Sequence, residues 1–191
     1  MRIIFELLAA SLYVSLAQNL IFNGGYGISE AVRMSAKPRK LIPLALFMTY
    51  FSVTVSAVCA ALELIPSFHL SSELFHVAVF SAVVFAVYIL TMAGVLIYGK
   101  IQPKTIRRIS IAAFNTLVMA VPYINYRSAF TITQSIGSGL GAGLAFLVAV
   151  LLINEGLKRL DLNTSIPKCF KGTPALFIYT AILSLGFMGL K

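Results

Sequence analysis

Leu16-Ala17-Gln18-Asn19-Leu20-Ile21-Phe22-Asn23-Gly24-Gly25-Tyr26-Gly27-Ile28-Ser29-Glu30-Ala31-Val32-Arg33-Met34-Ser35 closes an apolar run that starts at Ile3. An ordinary membrane-spanning helix does not end this way. Gln18 and Asn19 put two side-chain amides where hydrocarbon favours Leu. Asn23, Gly24, Gly25 and Gly27 then oppose a regular helix, since each Gly costs about 1 kcal/mol in a helix interior. Irregular backbone at membrane depth is tolerated only where protein or a polar cavity covers it. A second, shorter interruption, Asn115-Thr116 with Pro122 beyond, lies in the other half of the chain. The chain reads as two similar halves built around these two breaks.

The rest of the sequence belongs to an all-α integral membrane protein. Of its 191 residues 59% are hydrophobic and 11% charged, and the mean hydropathy is +0.93. A soluble domain carries roughly 25% charged residues. Six apolar segments stand out: Ile3–Phe22, Leu41–Ile65, Leu74–Tyr98, Ile109–Tyr126, Ile132–Ile153 and Thr173–Leu190. Each is near the ~20 residues that a helix needs to cross the hydrocarbon core. The gaps between them are short, so a site has to lie within the membrane or at its surface.

The net charge of +9 follows topology and is no signal for nucleic acid. Arg33, Lys37, Arg39 and Lys40 lie between the first and second segments. Lys100, Lys104, Arg107 and Arg108 lie between the third and fourth, and Lys158, Arg159, Lys168 and Lys171 between the fifth and sixth. Twelve of the fifteen cations therefore fall on one side of a six-span path, leaving Arg2, Arg127 and Lys191 on the other. The positive-inside rule puts the three basic loops in the cytoplasm and both termini outside. For the same reason Met1–Ala17, which resembles a signal peptide, is expected to stay attached: cleavage would leave the first basic loop outside.

Within this frame several polar residues have two readings each. Glu63, at the outer end of the second segment, is either a carboxylate facing water or one that attracts a cation to a pathway mouth. His69 and His76, without a carboxylate cluster nearby, read as surface or interfacial residues. The second segment is rich in Ser, Thr and Ala, which suits close helix contact. Asn115 is either a hydrogen-bonding contact between helices or part of a pathway. Gly137, Gly139, Gly141 and Gly143 form two overlapping small-xxx-small pairs, whose usual meaning is close packing. A phosphate loop is a poor alternative there, because no strand precedes it and no Lys-Ser/Thr follows. Glu155 ends the second helix of its half as Glu63 ends that of the first.

Residues 1–98 and 99–191 thus share one plan: a broken helix, a small-residue helix ending in Glu, and an apolar helix. Three helices is an odd number, so the second copy enters the membrane from the opposite side. This is the inverted repeat of many transporter folds, with the functional centre where the broken helices meet. The candidate pathway residues are Gln18, Asn19, Asn23, Gly24, Gly25, Asn115 and Thr116, and the candidate ion-attracting carboxylates are Glu63 and Glu155. No residue is assigned to catalysis, to a cofactor or to a metal.

The chain also resembles the small six-span membrane subunits of the Rnf and Nqr complexes, in the RnfA/NqrE branch. The resemblance is carried by Gln18-Asn19 with Gly27-Ile28-Ser29, by Ser56-Ala57-Val58-Cys59-Ala60 with Ile65-Pro66, and by Asn115-Thr116. Gln134-Ser135, Ile153-Asn154-Glu155-Gly156-Leu157-Lys158-Arg159-Leu160, Phe170-Lys171-Gly172 and Ser184-Leu185-Gly186-Phe187-Met188-Gly189 extend it. It implies an inverted-repeat fold, partner subunits in the membrane, and electron transfer coupled to Na⁺ or H⁺ movement. It also implies an iron–sulfur cluster held between two paired subunits by cysteines of both broken helices. Here those positions hold no cysteine: Gly24–Glu30 has none and the second motif has Thr116. The family carboxylate of the third span is missing too, at Thr91-Met92-Ala93-Gly94. Cys59 and Cys169 alone are too few for a four-ligand cluster or structural zinc.

The expectation is therefore a divergent subunit of an Rnf/Nqr-like complex in a prokaryotic inner membrane. It would supply scaffold or part of an ion path, with no cluster of its own. A small stand-alone or homodimeric transporter on the same fold is the alternative from another class, and a structural subunit without any site is a third. The expected partners are other membrane subunits, lipid, and Na⁺ or H⁺.

Overall fold

The computed structural model describes residues 2–36, 40–69, 72–98 and 102–189, without the side chains of Ser67, His69 and Tyr98. Lys37, Arg39, Lys100 and Lys191 of the topology reading lie outside the described residues, as does the side chain of His69. Among the described residues the structure is helical, with no strand. The helices are α1 (Arg2–Leu12), α2 (Leu20–Gly24), α3 (Ile28–Ser35), α4 (Leu41–Leu62) and α5 (Pro66–His69). They continue as α6 (Glu73–Tyr98), α7 (Pro103–Ala113), α8 (Thr116–Arg127), α9 (Ile132–Leu162) and α10 (Thr173–Met188).

Four stretches are long and apolar enough to cross a membrane: Leu41–Leu62, Glu73–Ile97, Pro103–Arg127 and Ile132–Leu162. The third of these is interrupted between α7 and α8. The first apolar segment folds as α1, a π-helical turn over Tyr13–Ala17, and α2. The last is a 16-residue apolar helix, α10. The fifth segment runs past its apolar end at Ile153 to Leu162, because the charged residues beyond stay helical with their side chains in the open.

Helix α9 is the central post, and its glycines explain how. A side chain at Gly137 would strike the carbonyl of Leu7, and one at Gly141 would lie 2.6 Å from the carbonyl of Ser11. These two glycines seat α1, and the numbers rise together, so α1 and α9 run parallel. A Cβ at Gly139 would lie 2.7 Å from Val53 Cα, and one at Gly143 would strike the Thr49 side chain. That pair seats α4, with the numbers falling, so α4 runs antiparallel to α9. Positions offset by two residues point about 200° apart on a helix. The two overlapping pairs therefore serve two different neighbours, on opposite sides of one helix. A fifth glycine, Gly156, admits the Tyr179 ring of α10 in the same way.

The start of α9 is locked by a capping box: Thr131 Oγ1 accepts from Gln134 N–H, and Gln134 Oε1 accepts from Thr131 N–H. The core between the helices is filled by large side chains, among them Phe51, Phe146, Met48, Ile21, Ile109 and Leu117. Helix α6 is the most peripheral span, with most of its surface left for lipid or a partner.

Candidate functional site

Both breaks are built by the same residue doing the same work. Asn19 leaves helical geometry at φ −55°, ψ 107°, and its Oδ1 accepts from the backbone N–H groups of Ile21 and Phe22 at 3.1 and 3.4 Å. Asn115 leaves it at φ −74°, ψ 136°, and its Oδ1 accepts from Leu117 N–H at 2.9 Å. Each asparagine is thus the N-cap of the half-helix that follows, satisfying donors that have no intrahelical partner. Asn19 also uses its Nδ2, donating to the Ser15 carbonyl at 3.0 Å and approaching the Ala145 carbonyl at 3.5 Å. The second contact sets the first break at mid-length of α9. Asn23 donates to the Ala17 carbonyl at 3.1 Å, which ties α2 back to the π turn.

The two breaks touch. Gly27 donates its N–H to the hydroxyl of Thr116 at 2.8 Å. Gly27 has φ 76°, a conformation that favours glycine, and a Cβ there would lie 2.7 Å from Asn115 Oδ1. Gly25, at φ 71°, ends α2 in the left-handed conformation. Gln18 sits apart from this junction. It lines a surface groove with Phe5, Glu6, Tyr13 and Gln134. Beside the junction, on α3, the Arg33 guanidinium donates hydrogen bonds to the Glu30 carboxylate, which holds it above its ordinary pKa.

A second cluster contradicts the surface reading of His76. The ring is fully buried, stacked on Tyr126 at 4.2 Å between centroids, with Phe68 and Phe80 edge-on to it. Its Nδ1 lies 2.9 Å from the Ser72 carbonyl, so Nδ1 carries a proton and donates it. Its Nε2 lies 3.2 Å from the Glu63 carboxylate, whose side chain is 16% exposed. Glu63 is therefore mostly buried and in contact with His76 at the end of α4. Glu155 is different: it is half exposed and paired with Lys158 at 3.4 Å and Arg159 at 3.5 Å on the surface of α9. Since α4 and α9 are antiparallel, the two carboxylates lie at opposite ends of the bundle, and the structure does not bring them together.

No family model matches the chain. Individual relatives do. A subunit of the ion-translocating oxidoreductase complex of Rhodobacter capsulatus is 25% identical over 96% of this chain and 95% of its own length. The protein of the same name from Pasteurella multocida is 29% identical over 92% of this chain and 91% of its own. A subunit of the proton-translocating ferredoxin:NAD⁺ oxidoreductase complex of Clostridium ljungdahlii is 36% identical over 77 residues; that match spans 40% of this chain and 39% of the relative. Over nearly its whole length the chain is thus similar to named subunits of ion-translocating oxidoreductase complexes.

The junction of this chain does not fit an iron–sulfur cluster. The resemblance implies thiolates within Gly24–Glu30 and at residue 116; the first stretch has no cysteine, and Thr116 offers a hydroxyl that already accepts from the Gly27 N–H. Gly27 has no room for a side chain of any kind without displacing Asn115. Cys59 is buried in α4 beside Pro122 and Asn125, about two turns along α8 from the junction. Cys169 is exposed. Among the described residues no three His, Cys, Asp or Glu side chains gather as a metal site.

The sequence reading missed the buried polar groups of α4, α8 and α9: Ser52, Ser56, Asn125, Ser135 and Ser138. A signal was present. Ser52, Ser56, Cys59 and Glu63 fall at helical spacing, so they form one stripe of α4. The reading took the serines as small residues for helix contact and did not connect them to Glu63.

Proposed function

We propose that this chain is a membrane subunit of an Rnf-like complex that couples electron transfer to ion movement across a prokaryotic plasma membrane. It supplies scaffold and part of the ion path, and holds no cluster of its own. The observation that carries this reading is the pair of asparagine-capped breaks joined through Gly27 and Thr116, in a chain aligned nearly end to end with named complex subunits. Two broken helices whose interruptions meet are the usual framework of an ion site in transporters. Its partners are the other membrane subunits of the complex.

The reading includes one membrane domain of six spans, the first and fourth broken, in two inverted three-helix repeats of roughly residues 1–98 and 99–191. The directions of α1 and α4 against α9 support it: first and fifth spans must run parallel, and second and fifth antiparallel. Both termini lie outside, and the loops around Lys37, Lys104 and Lys168 lie in the cytoplasm.

An affinity-tagged chain, extracted from its own membrane in mild detergent, should bring down flavin- and ferredoxin-binding partner proteins. Recovery of the chain alone, or only as copies of itself, overturns the reading.

A further inference from the structure

Many hydroxyls in this chain are satisfied on their own helix. On α4, Thr49 and Thr54 donate to the carbonyls of Ala45 and Tyr50, four residues back. Thr91, Ser110 and Thr180 do the same on α6, α7 and α10. Ser56 of α4 and Ser135 of α9 do not. Each is 1% exposed, and its hydroxyl has no hydrogen-bond partner among the described residues. Asn125 of α8 is 4% exposed, and its Oδ1 and Nδ2 are both in the same condition. These three residues line one cavity of about 20 Å³, which Phe80, Pro122 and Glu63 help to close. That is room for one water molecule. One turn further along α4 and α9, Ser52 and Ser138 are also buried with unpaired hydroxyls, so the polar stripe continues past the cavity.

We propose that a single ordered water molecule occupies this cavity and bridges α4, α8 and α9. Buried polar groups in native proteins are paired with protein or with ordered water. Four orphaned atoms from three helices around one small cavity supply the two to four partners that a buried water needs. The Nδ2 group of Asn125 decides the chemistry of the occupant. It can only donate, so its partner has to accept. A cation accepts no hydrogen bond. A water oxygen accepts from the amide while its two hydrogens reach the oxygens opposite. This holds whichever way the amide is turned, since both of its ends are unpaired. The bridge also has a mechanical place. Pro122 removes a backbone N–H from α8 between the Asn115 cap and Asn125. The water ties down the part of α8 beyond that weak point, and such bridged contacts are nearly as favourable as direct ones.

The test is a structure of the full chain, crystallised from lipid with choline as the sole added cation, at a resolution that shows ordered water. One peak is expected at roughly 2.7–3.2 Å from at least three of the four orphaned atoms. No peak, with the serine hydroxyls turned onto the carbonyls of Ser52 and Thr131, overturns the proposal. So does a peak that appears only when sodium or potassium replaces choline. Thermal unfolding in detergent gives a second readout. Ser56→Ala, Ser135→Ala and Asn125→Leu should each lower Tm by about 2–6 °C, because each leaves the remaining groups under-bonded. The triple variant expels the water and leaves no group that needs it, so its loss should fall well below the sum of the three. Additive losses overturn the bridge, since no two of these groups bond each other directly.

Discussion

The N–H of Gly27 and the hydroxyl of Thr116, 89 residues apart in sequence, meet at 2.8 Å and join the two broken helices. Replacing Thr116 with Val keeps the shape and removes the acceptor, leaving a partly buried N–H without a partner. The expected cost is about 1–3 kcal/mol, read as a lower Tm in detergent. Thr116→Ser should restore most of it. If Val and Ser variants melt alike, the bond contributes nothing.

Gly27→Ala combines a positive φ with a collision against Asn115. Strain of this kind costs on the order of 1–3 kcal/mol before the junction moves. Gly94→Ala, in open space on α6, should be neutral or slightly stabilising. The two variants, compared by thermal unfolding, should differ in sign or by several degrees.

Asn19→Leu should be worse than a typical cap substitution in water. There a lost N-cap costs about 0.5–2 kcal/mol. Here the released Ile21 and Phe22 N–H groups are buried with Asn19 in a membrane protein, where no water replaces the cap. Asn19→Asp keeps the acceptor but loses the donor to Ser15, so it should fall between the two. Protease resistance in membranes would rank wild type, Asp and Leu in that order.

His76→Phe retains the stack on Tyr126 and removes one contact of Glu63. Removing one member of a fully buried pair costs roughly 3–5 kcal/mol, and the loss here should be smaller because Glu63 is partly exposed. Adding Glu63→Gln should recover a large part of that loss. A double-mutant cycle measures the coupling, and additive effects would mean the pair is incidental.

Cys59→Ser/Cys169→Ser should accumulate and assemble as the wild-type chain does. The purified wild-type chain should contain no stoichiometric iron or acid-labile sulfide. Iron present in the wild type and absent from this variant would return a cluster to the chain.

Much of this was legible in sequence where the signal is local. The first break announces itself because Asn and Gly cluster at Gln18–Gly27, and each acts on its own neighbours. The glycine spacing of α9 announces close packing for the same reason. What it could not reveal is that Gly137/Gly141 and Gly139/Gly143 face different helices, since the partners lie in remote segments. His76 shows the limit most plainly. Nothing around it in sequence marks it as buried, because the Tyr126 and Glu63 that enclose it come from other helices. Along α9 the apolar character stops at Ile153, while the helix continues through the charged residues to Leu162.

The double seating on α9 sets the order in which the chain becomes a protein. Helices α1 and α4 leave the ribosome first, yet each closes on glycines near residue 140. Until α9 has been synthesised and inserted, the first half has no post to close upon. The early spans must therefore wait in the bilayer or under a chaperone. A gene cut between residues 98 and 103 should yield two fragments that are degraded separately and survive only when made together.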